Sequence, residues 1–409
     1  MRALSLRLPV LIILLATSCG GGQPTNPADI LIATDLPVAA IPGALPAQLA
    51  VELAVNQNPM VGSFRLGYVL FDDSLSGDPF PEKGVQNVQR MIEDPRVLGM
   101  VGPRQSSVAA EEIPVANVAH LAMLSPDNTA ICLTVPAASC GVAPAALRPA
   151  GPNNYFRIAP ADPVQGMALA RFAVSLGIKR VAILSESPGD GDLIAESFAQ
   201  ELRRTGGEVV LQTTLPSRTV SYGAFLRQAR DRGAQAIYAI PGSPDDHICA
   251  ARAQMKAIFP DRTYFLGTDT VAVDPNCASD SAGDVTDIYA TYLDVDPTKS
   301  TDPASRKVVD AYRTAYPKAN DTSIYTYAAY DCAKIMMAAI SHAVENNGGR
   351  LPSRLQVVDA LAHSVFTGVT GTYSFDSNGD ATSPLMSLFQ IANGHWVYLH
   401  KIDASRRST

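Results

Sequence analysis

Clustered basic side chains are missing from this chain of 409 residues, whose formal net charge is −7. Neutralising a phosphate backbone needs grouped Lys and Arg, so nucleic acid is excluded as a partner. Long apolar runs are scarce as well. Beyond the amino-terminal stretch, no segment of the sequence is long and apolar enough to span a bilayer. Catalytic signatures are also lacking: there is no Gly-x-Ser-x-Gly elbow, His-Glu-x-x-His helix or Gly-Lys phosphate loop. His120, His247, His342, His363, His395 and His400 have no partner spacing that would make one a general base, and no two cysteines show zinc spacing. No enzymatic activity, metal site or cofactor is expected.

What is present is size and apolar content. At 409 residues and 47% hydrophobic residues, the chain is long enough for two cores rather than one. From residue 30 onward, strand and helix alternate, the pattern of βαβ units. Strands are expected over 30–34, 65–71, 97–101 and 121–124, with helices over 46–55, 83–92 and 107–119. A segment at 155–158 reads as a strand crossing into a second series. That series has strands over 180–185, 208–215, 236–240 and 264–267, and helices over 164–176, 193–205, 222–232 and 244–259, and a further strand follows over 287–294. The remainder turns helical over 304–316, 325–346 and 352–362 and ends in short antiparallel strands. The fold class is α/β: two doubly wound, Rossmann-like lobes joined by a multi-strand hinge. One lobe is expected from 29–155 plus 287–364, the other from 156–286 plus 365–409.

The most informative stretch is VLGMVGPRQSSVAAEEIPVANVAHLAMLSPDNT, residues 97–129. Two polar loops there follow two buried strands, and in a parallel sheet such loops line one crevice at the strands' carboxyl ends. The helix between them aims its amino terminus and unpaired N–H groups into that crevice. Ser106 and Ser107 at the helix start, with the Ser125–Thr129 loop opposite, make a cradle for an anion such as a carboxylate. The same residues also suit plainer roles, Ser107 as a helix cap and 125–127 as a turn. Arg104 beside the cradle could reach an anionic ligand or remain a solvated loop side chain. Tyr325, Tyr327 and Tyr330 at one helix start read as core or lobe-contact residues, and 376–380 reads as a hairpin turn.

At the amino terminus, Arg2 and Arg7 precede a short apolar run over 8–16, as in a secretory signal. The run leads through Ala16-Thr17-Ser18 to Cys19 and three glycines, and resembles the bacterial lipoprotein signal, with Ala16 where leucine is usual. That resemblance implies a signal peptide over 1–18, lipidation of Cys19, and a flexible tether over 19–28. Export permits disulfides. Cys132 and Cys140 flank a short Pro/Ala loop and are expected to pair, which is worth roughly 2–3 kcal/mol in the chain-entropy model. Cys249 and Cys277 are a second candidate pair, and Cys332 reads as a buried thiol.

Six segments, in this order, are similar to type I periplasmic binding proteins, specifically the Leu/Ile/Val (branched-chain amino acid) and amide-binding lipoproteins of ABC importers. They are LAVELAVNQNPMVGSFRLGYVLFDD, MIEDPRVLGMVGPRQSSVAAEEIPVAN, LSPDNT, NNYFRIAPADPVQGMALARFA, YTYAAYDCAKIMMAAI and VTGTYSFDSNGD, spread over roughly 29–402. The resemblance implies an envelope protein, periplasmic or extracellular, held to the membrane by its lipid. It would capture a small polar ligand, an amino acid or related carboxylate or amide, and deliver it to ABC permease and ATPase subunits. A ligand-sensing or protein-partnering lipoprotein of the same fold is the alternative. By the same resemblance Ser106, Ser107, Asp127 and Thr129 hold the ligand carboxylate, and Asp269 meets its ammonium. Three positions depart from the family, which places tyrosines where this chain has Ile41, Asp190 and Gly242. Losing that aromatic wall opens the pocket and favours a larger or more polar ligand.

Overall fold

The protein's computed structural model describes residues 27–41, 43–137, 140–187, 190–243, 246–292, 297–319, 322–383 and 385–403. The signal, Cys19 and most of the tether lie outside the described residues. ILIATD is buried along its whole length and forms β1 (Ile30–Asp35). A strand covered on both faces needs no polar alternation, so its sequence reads as an apolar run. Around it stand β2 (Met60–Val61) and β3 (Phe64–Phe71), then β6 (Val97–Val101), β7 (Ala122–Ser125) and β8 (Tyr155–Arg157), with a small separate hairpin of β4 (Ser74–Leu75) and β5 (Asp78–Pro79) after β3. The strand order is β2-β3-β1-β6-β7-β8, parallel except for β2. Helices α1 (Ala44–Gln57), α2 (Pro81–Glu93) and α3 (Ser106–Val118) supply the crossovers. In α2 the buried positions Gly84, Asn87, Val88 and Met91 fall at helical spacing on one face, while its other face stays polar.

The second sheet repeats the plan. Strands β9 (Arg180–Ser185), β10 (Glu208–Thr214), β11 (Ala236–Ile240), β12 (Tyr264–Gly267) and β13 (Ile288–Tyr292) stand in the order β10-β9-β11-β12-β13, all parallel. Their helices are α4 (Asp162–Ser175), α5 (Asp190–Arg204), α6 (Gly223–Asp231) and α7 (Ala250–Ile258), followed by the short α8 (Asp269–Ala272) and α9 (Cys277–Asp280). The chain then returns to the first lobe as α10 (Pro303–Ala315), α11 (Ile324–Asn346), α12 (Arg354–Ala362) and the small pair β14 (Phe366–Thr367) and β15 (Thr372–Tyr373). It ends on the second sheet as β16 (Leu385–Ala392) and β17 (His395–Asp403), antiparallel additions beside β13. Long α11 lies in the first core, where Tyr327, Met336 and Ile340 pack with Ile30, Ile32 and Leu66.

Both sheets share the doubly wound order in which the strand sequence reverses between the first and third βα units. Ligands of open α/β sheets bind outside the carboxyl ends at that reversal. Two lobe boundaries differ from the sequence expectation. Residues 288–292 belong to the second sheet, because β13 pairs with β12 and β16. Conversely Tyr373 and Phe375, expected in the second lobe, sit in the core of the first. Helix α7 starts later than the pattern over 244–259 suggested. Just ahead of it, the Asp246 carboxylate is taken up by the backbone N–H groups of Gly242 and Ser243 at 2.8 and 2.9 Å. Disulfides join Cys132 to Cys140 and Cys249 to Cys277, and Cys332 is a buried thiol. No helix among the described residues is long and apolar enough to cross a membrane.

Arg157, with 0% exposure, fastens the returning segment to the edge of the first sheet. Its guanidinium donates to Asp380 Oδ1 at 2.6 Å, to the Ala130 carbonyl at 2.8 Å and to Thr134 Oγ1 at 2.6 Å. The 376–380 segment is a turn closed on Asp376 Oδ1, which accepts from the N–H groups of Asn378 and Asp380. Removing one member of a buried ion pair strands the other. Arg157→Met is therefore expected to destabilise the chain by about 3–5 kcal/mol, read as a lowered midpoint in urea denaturation.

Candidate functional site

The site grows from the loops after β6 and β7. Gly102 has φ +126°, and a Cβ there would stand 2.4 Å from the Asp35 carbonyl oxygen, so only glycine lets the first loop leave the sheet at this point. The two loops are then tied together. Ser125 Oγ donates to the Pro103 carbonyl at 2.8 Å and accepts from the Asn128 N–H at 3.0 Å. Asn128 Nδ2 donates to the Arg104 carbonyl at 2.7 Å, and Asn128 Oδ1 accepts from the Tyr155 hydroxyl at 2.8 Å. Ser106 Oγ accepts from the Ala130 N–H at 3.3 Å, which leaves its own proton able to reach a ligand acceptor.

Charge collects where these loops meet the second lobe. Arg104 Nε donates to Asp127 Oδ2 at 2.7 Å, and the two side chains are only 16% and 10% exposed. The Arg104 guanidinium also lies 4.8 Å from the centre of the Tyr325 ring, a cation–π contact. Tyr325, in the first turn of α11, packs against Tyr292 at the end of β13, with ring centres 5.8 Å apart. Asp269 opens α8, in the second lobe. Gln165 of α4 holds it from both sides: the Asp269 N–H donates to Gln165 Oε1 at 2.6 Å, and Gln165 Nε2 donates to Asp269 Oδ1 at 3.0 Å. Thr291 Oγ1 donates to the same Gln165 oxygen at 2.8 Å.

Burial raises the Asp127 carboxyl to about 6; the Arg104 charge and hydrogen bond oppose the rise, and the like charge of Asp269 adds to it. Burial likewise pushes Asp269 upward, against the bonds from Gln165 and the backbone. The hydroxyls of Tyr292 and Tyr325 are held protonated by burial, with the charge of Asp127 adding to it. One guanidinium, two carboxylates and two phenols thus face one another across the lobes. Such a set can hold a small ligand by both its charged ends, and it contains no activated nucleophile.

Of the residues singled out in the sequence, Ser106, Asp127 and Asp269 take part in this arrangement. Thr129 lies beside it, half-buried, its carbonyl accepting from the Asp162 N–H at 2.9 Å. Helix α3 begins at Ser106, one residue earlier than expected, and Ser107 is exposed. Ile41 lines another cavity, of about 420 Å³, with Val38, Leu45 and Lys318. Gly242 is exposed, and its N–H is spent on Asp246. Asp190 starts α5, but its side chain lies outside the described residues. Tyr325 was read as a core or lobe-contact residue, and it makes a lobe contact on Tyr292; Tyr292 and Gln165 were not singled out at all. Gln165 carries no local signal, since its partner Asp269 is 104 residues away.

The family model described as "Periplasmic binding protein" matches residues 47–395. The chain belongs to the periplasmic binding protein family. Its two lobes have the type I architecture of that family, whose members bind substrates for ABC transporters and are not enzymes. Solved relatives include a leucine binding protein, LivK, from Thermotoga maritima, 21% identical, covering 91% of this chain and 99% of its own, with a TM-score of 0.69. The substrate binding protein LivJ from Streptococcus pneumoniae, in complex with isoleucine, is 19% identical over 90% of this chain and 99% of its own, with a TM-score of 0.65. A solute binding protein of an ABC transporter from Rhodopseudomonas palustris, in complex with p-hydroxybenzoic acid, is 16% identical over 92% and 97%, with a TM-score of 0.70. No curated protein matches the chain.

The Asp127 carboxyl gives a pH signature for this periplasmic binding protein. Its value of about 6, against an ordinary 3.8, means that the folded chain holds this proton more tightly than the unfolded one. The contribution to stability is complete below the lower value and is lost as pH rises through the upper one. Relative to Asp127→Asn, the wild type should lose stability between pH 4 and 7 and level off above. Urea midpoints across that range read the difference; a constant gap would show Asp127 ionised throughout.

Proposed function

We propose that this protein is a lipid-anchored, extracytoplasmic solute-binding protein that closes its two lobes on a small ligand bearing a carboxylate and an amino group. It then presents that ligand to an ABC permease and its ATPase. The observation that carries this reading is the convergence of Arg104, Asp127, Tyr292, Tyr325 and Asp269 from both lobes on one enclosed place. Arg104 is committed to Asp127, so the ligand carboxylate falls to the α3 amino terminus, the Ser106 hydroxyl and the Thr129 loop. Asp269, braced by Gln165, takes the ammonium, for which an ionic partner offsets the several kcal/mol that burial would otherwise cost.

Leucine, isoleucine and p-hydroxybenzoic acid, the ligands named for the relatives, share a carboxylate, which supports the first assignment. With both acids ionised the cleft carries one more negative than positive charge, which supports the second. The run over 8–16 that ends near Cys19 supports the anchor.

A thermal-shift screen against amino acids, amides, polyamines and small organic acids tests the reading. A ligand at a hundred times its Kd adds about 2.7 kcal/mol of apparent stability, and the absence of any shift across the four classes would sink the proposal. For a ligand so found, Asp269→Asn should weaken binding of the amine by at least tenfold, on the order of 1.4 kcal/mol, and spare its deaminated analogue. Equal loss for both would remove Asp269 from its role. Ser106→Ala combined with Thr129→Ala should cost a carboxylate ligand a similar factor and leave its amide less affected.

A further inference from the structure

Three carboxylates meet inside the first lobe, beneath the strand ends. Asp35 ends β1, Asp73 follows β3, and Glu112 comes from α3; all three have 0% exposure, and oxygens from each lie within 4.8 Å of one another. Asn87 Nδ2 donates to Asp35 Oδ1 at 2.9 Å. Among the described residues no other side chain donates to Asp35 Oδ2, to either oxygen of Asp73 or to either oxygen of Glu112; Asp35 and Glu112 face each other at hydrogen-bond range, and Asp73 has only its own backbone N–H. The charge of Lys83 acts on Asp73, yet its ammonium donates to the Ser74 carbonyl, and Asp72 adds a further negative charge.

Glu112 stands apart from the other two. It arrives from the helix layer, wholly enclosed, and sends a carboxylate that no basic or amide side chain meets into the gap at the strand ends, against Asp35. Room is kept for it by Gly84 of α2, where a Cβ would come within 2.5 Å of Glu112 Oε1. Enclosed carboxylates without donors cost several kcal/mol each if ionised. Burial raises the carboxyl of Asp35 to about 8, with the charge of Asp73 adding to it, and burial with the charge of Asp72 raises Asp73 to about 7.

We propose that Asp35, Asp73 and Glu112 hold a Ca²⁺ ion that braces the carboxyl ends of β1 and β3 against α3. The ligands are oxygen only, which suits a hard divalent cation rather than zinc or copper. Ca²⁺–oxygen distances of 2.3–2.6 Å set opposite ligands about 5 Å apart, and these oxygens lie within 4.8 Å of one another, close enough to share one ion. Mg²⁺ gives up its water reluctantly, and a cluster this deeply buried suits it less well. The cysteine and histidine spacings, on which the expectation of no metal site rested, say nothing about carboxylates brought together from three separate elements.

The test is equilibrium dialysis and thermal melting of the full chain, first freed of ions with a chelator and then returned to Ca²⁺ or Mg²⁺. The expected result is one bound Ca²⁺ per chain, a rise of several degrees in Tm with Ca²⁺ and a smaller one with Mg²⁺. Glu112→Gln should melt above the wild type in chelator, because a repulsion is relieved, and lose the Ca²⁺-dependent rise. Asp73→Asn gives the same reading independently should the first variant fold poorly. A full Ca²⁺ response in both variants, tighter binding of Mg²⁺, or melting indifferent to every ion would each overturn the proposal, the last leaving the three acids to share protons instead.

Discussion

A charge withdrawn from water has to be met inside the protein, at a cost of several kcal/mol where it is not, and this chain meets its charges by joining distant segments. Arg157 takes Asp380 across 223 residues, Gln165 takes Asp269 across 104, and Arg104 takes Asp127 across 23. Asp331 on α11 accepts from the N–H groups of Val369 and Thr370 at 3.0 and 2.7 Å. Each pairing fixes a loop that the sheets alone would leave to the solvent. The apolar cores place the strands, and the buried polar pairs place the strands' ends, where the site lies.

The lobes are joined where the chain leaves β8 for α4, leaves β13 for α10, and returns from the 376–381 turn to β16. Strands on both sides of these crossings are anchored in their own sheets, so relative motion has to be absorbed between them, as in hinge closure. Tyr292, at the second of them, touches Tyr325 of the first lobe and Phe389 of β16, with ring centres 5.8 and 5.7 Å apart. One ring of the aromatic pair thus sits at a crossing, so on the proposed reading closing the lobes would also complete that wall.

Strand and helix positions were legible because burial has a period: ILIATD and VLGMV are apolar runs, and α2 repeats its buried face at helical spacing. Lobe membership of β13 was not, since an apolar strand reads alike whichever sheet it joins. Helices α8 and α9, of four residues each, are too short for a period to register. Within the site, Asp269 came only from the family resemblance, whereas the loops following β6 and β7 carried a usable signal, and Ser106 and the 125–129 loop came from it. Tyr325 and Gln165 did not, because an aromatic or an amide in a helix looks the same whether it packs in a core or turns toward a cleft. Ile41 and Gly242 were placed by aligning loops, where a shift of one residue costs a sequence comparison nothing and moves a side chain to another cavity.

The pairing of Arg104 with Asp127 also constrains how the cleft tells ligands apart. A guanidinium already bound to a carboxylate in a low-dielectric place offers a ligand anion little net charge. On the proposed reading, selectivity for the anionic end comes from oriented N–H groups and a hydroxyl, which read geometry more than charge. Among the described residues Asp269 has no cation for a hydrogen-bond partner, only the Gln165 amide and backbone. The cleft is therefore polarised, near-neutral on the first lobe and negative on the second. On the proposed reading, a ligand's orientation follows from that gradient: its positive end is drawn across the gap, and the attraction itself favours closure.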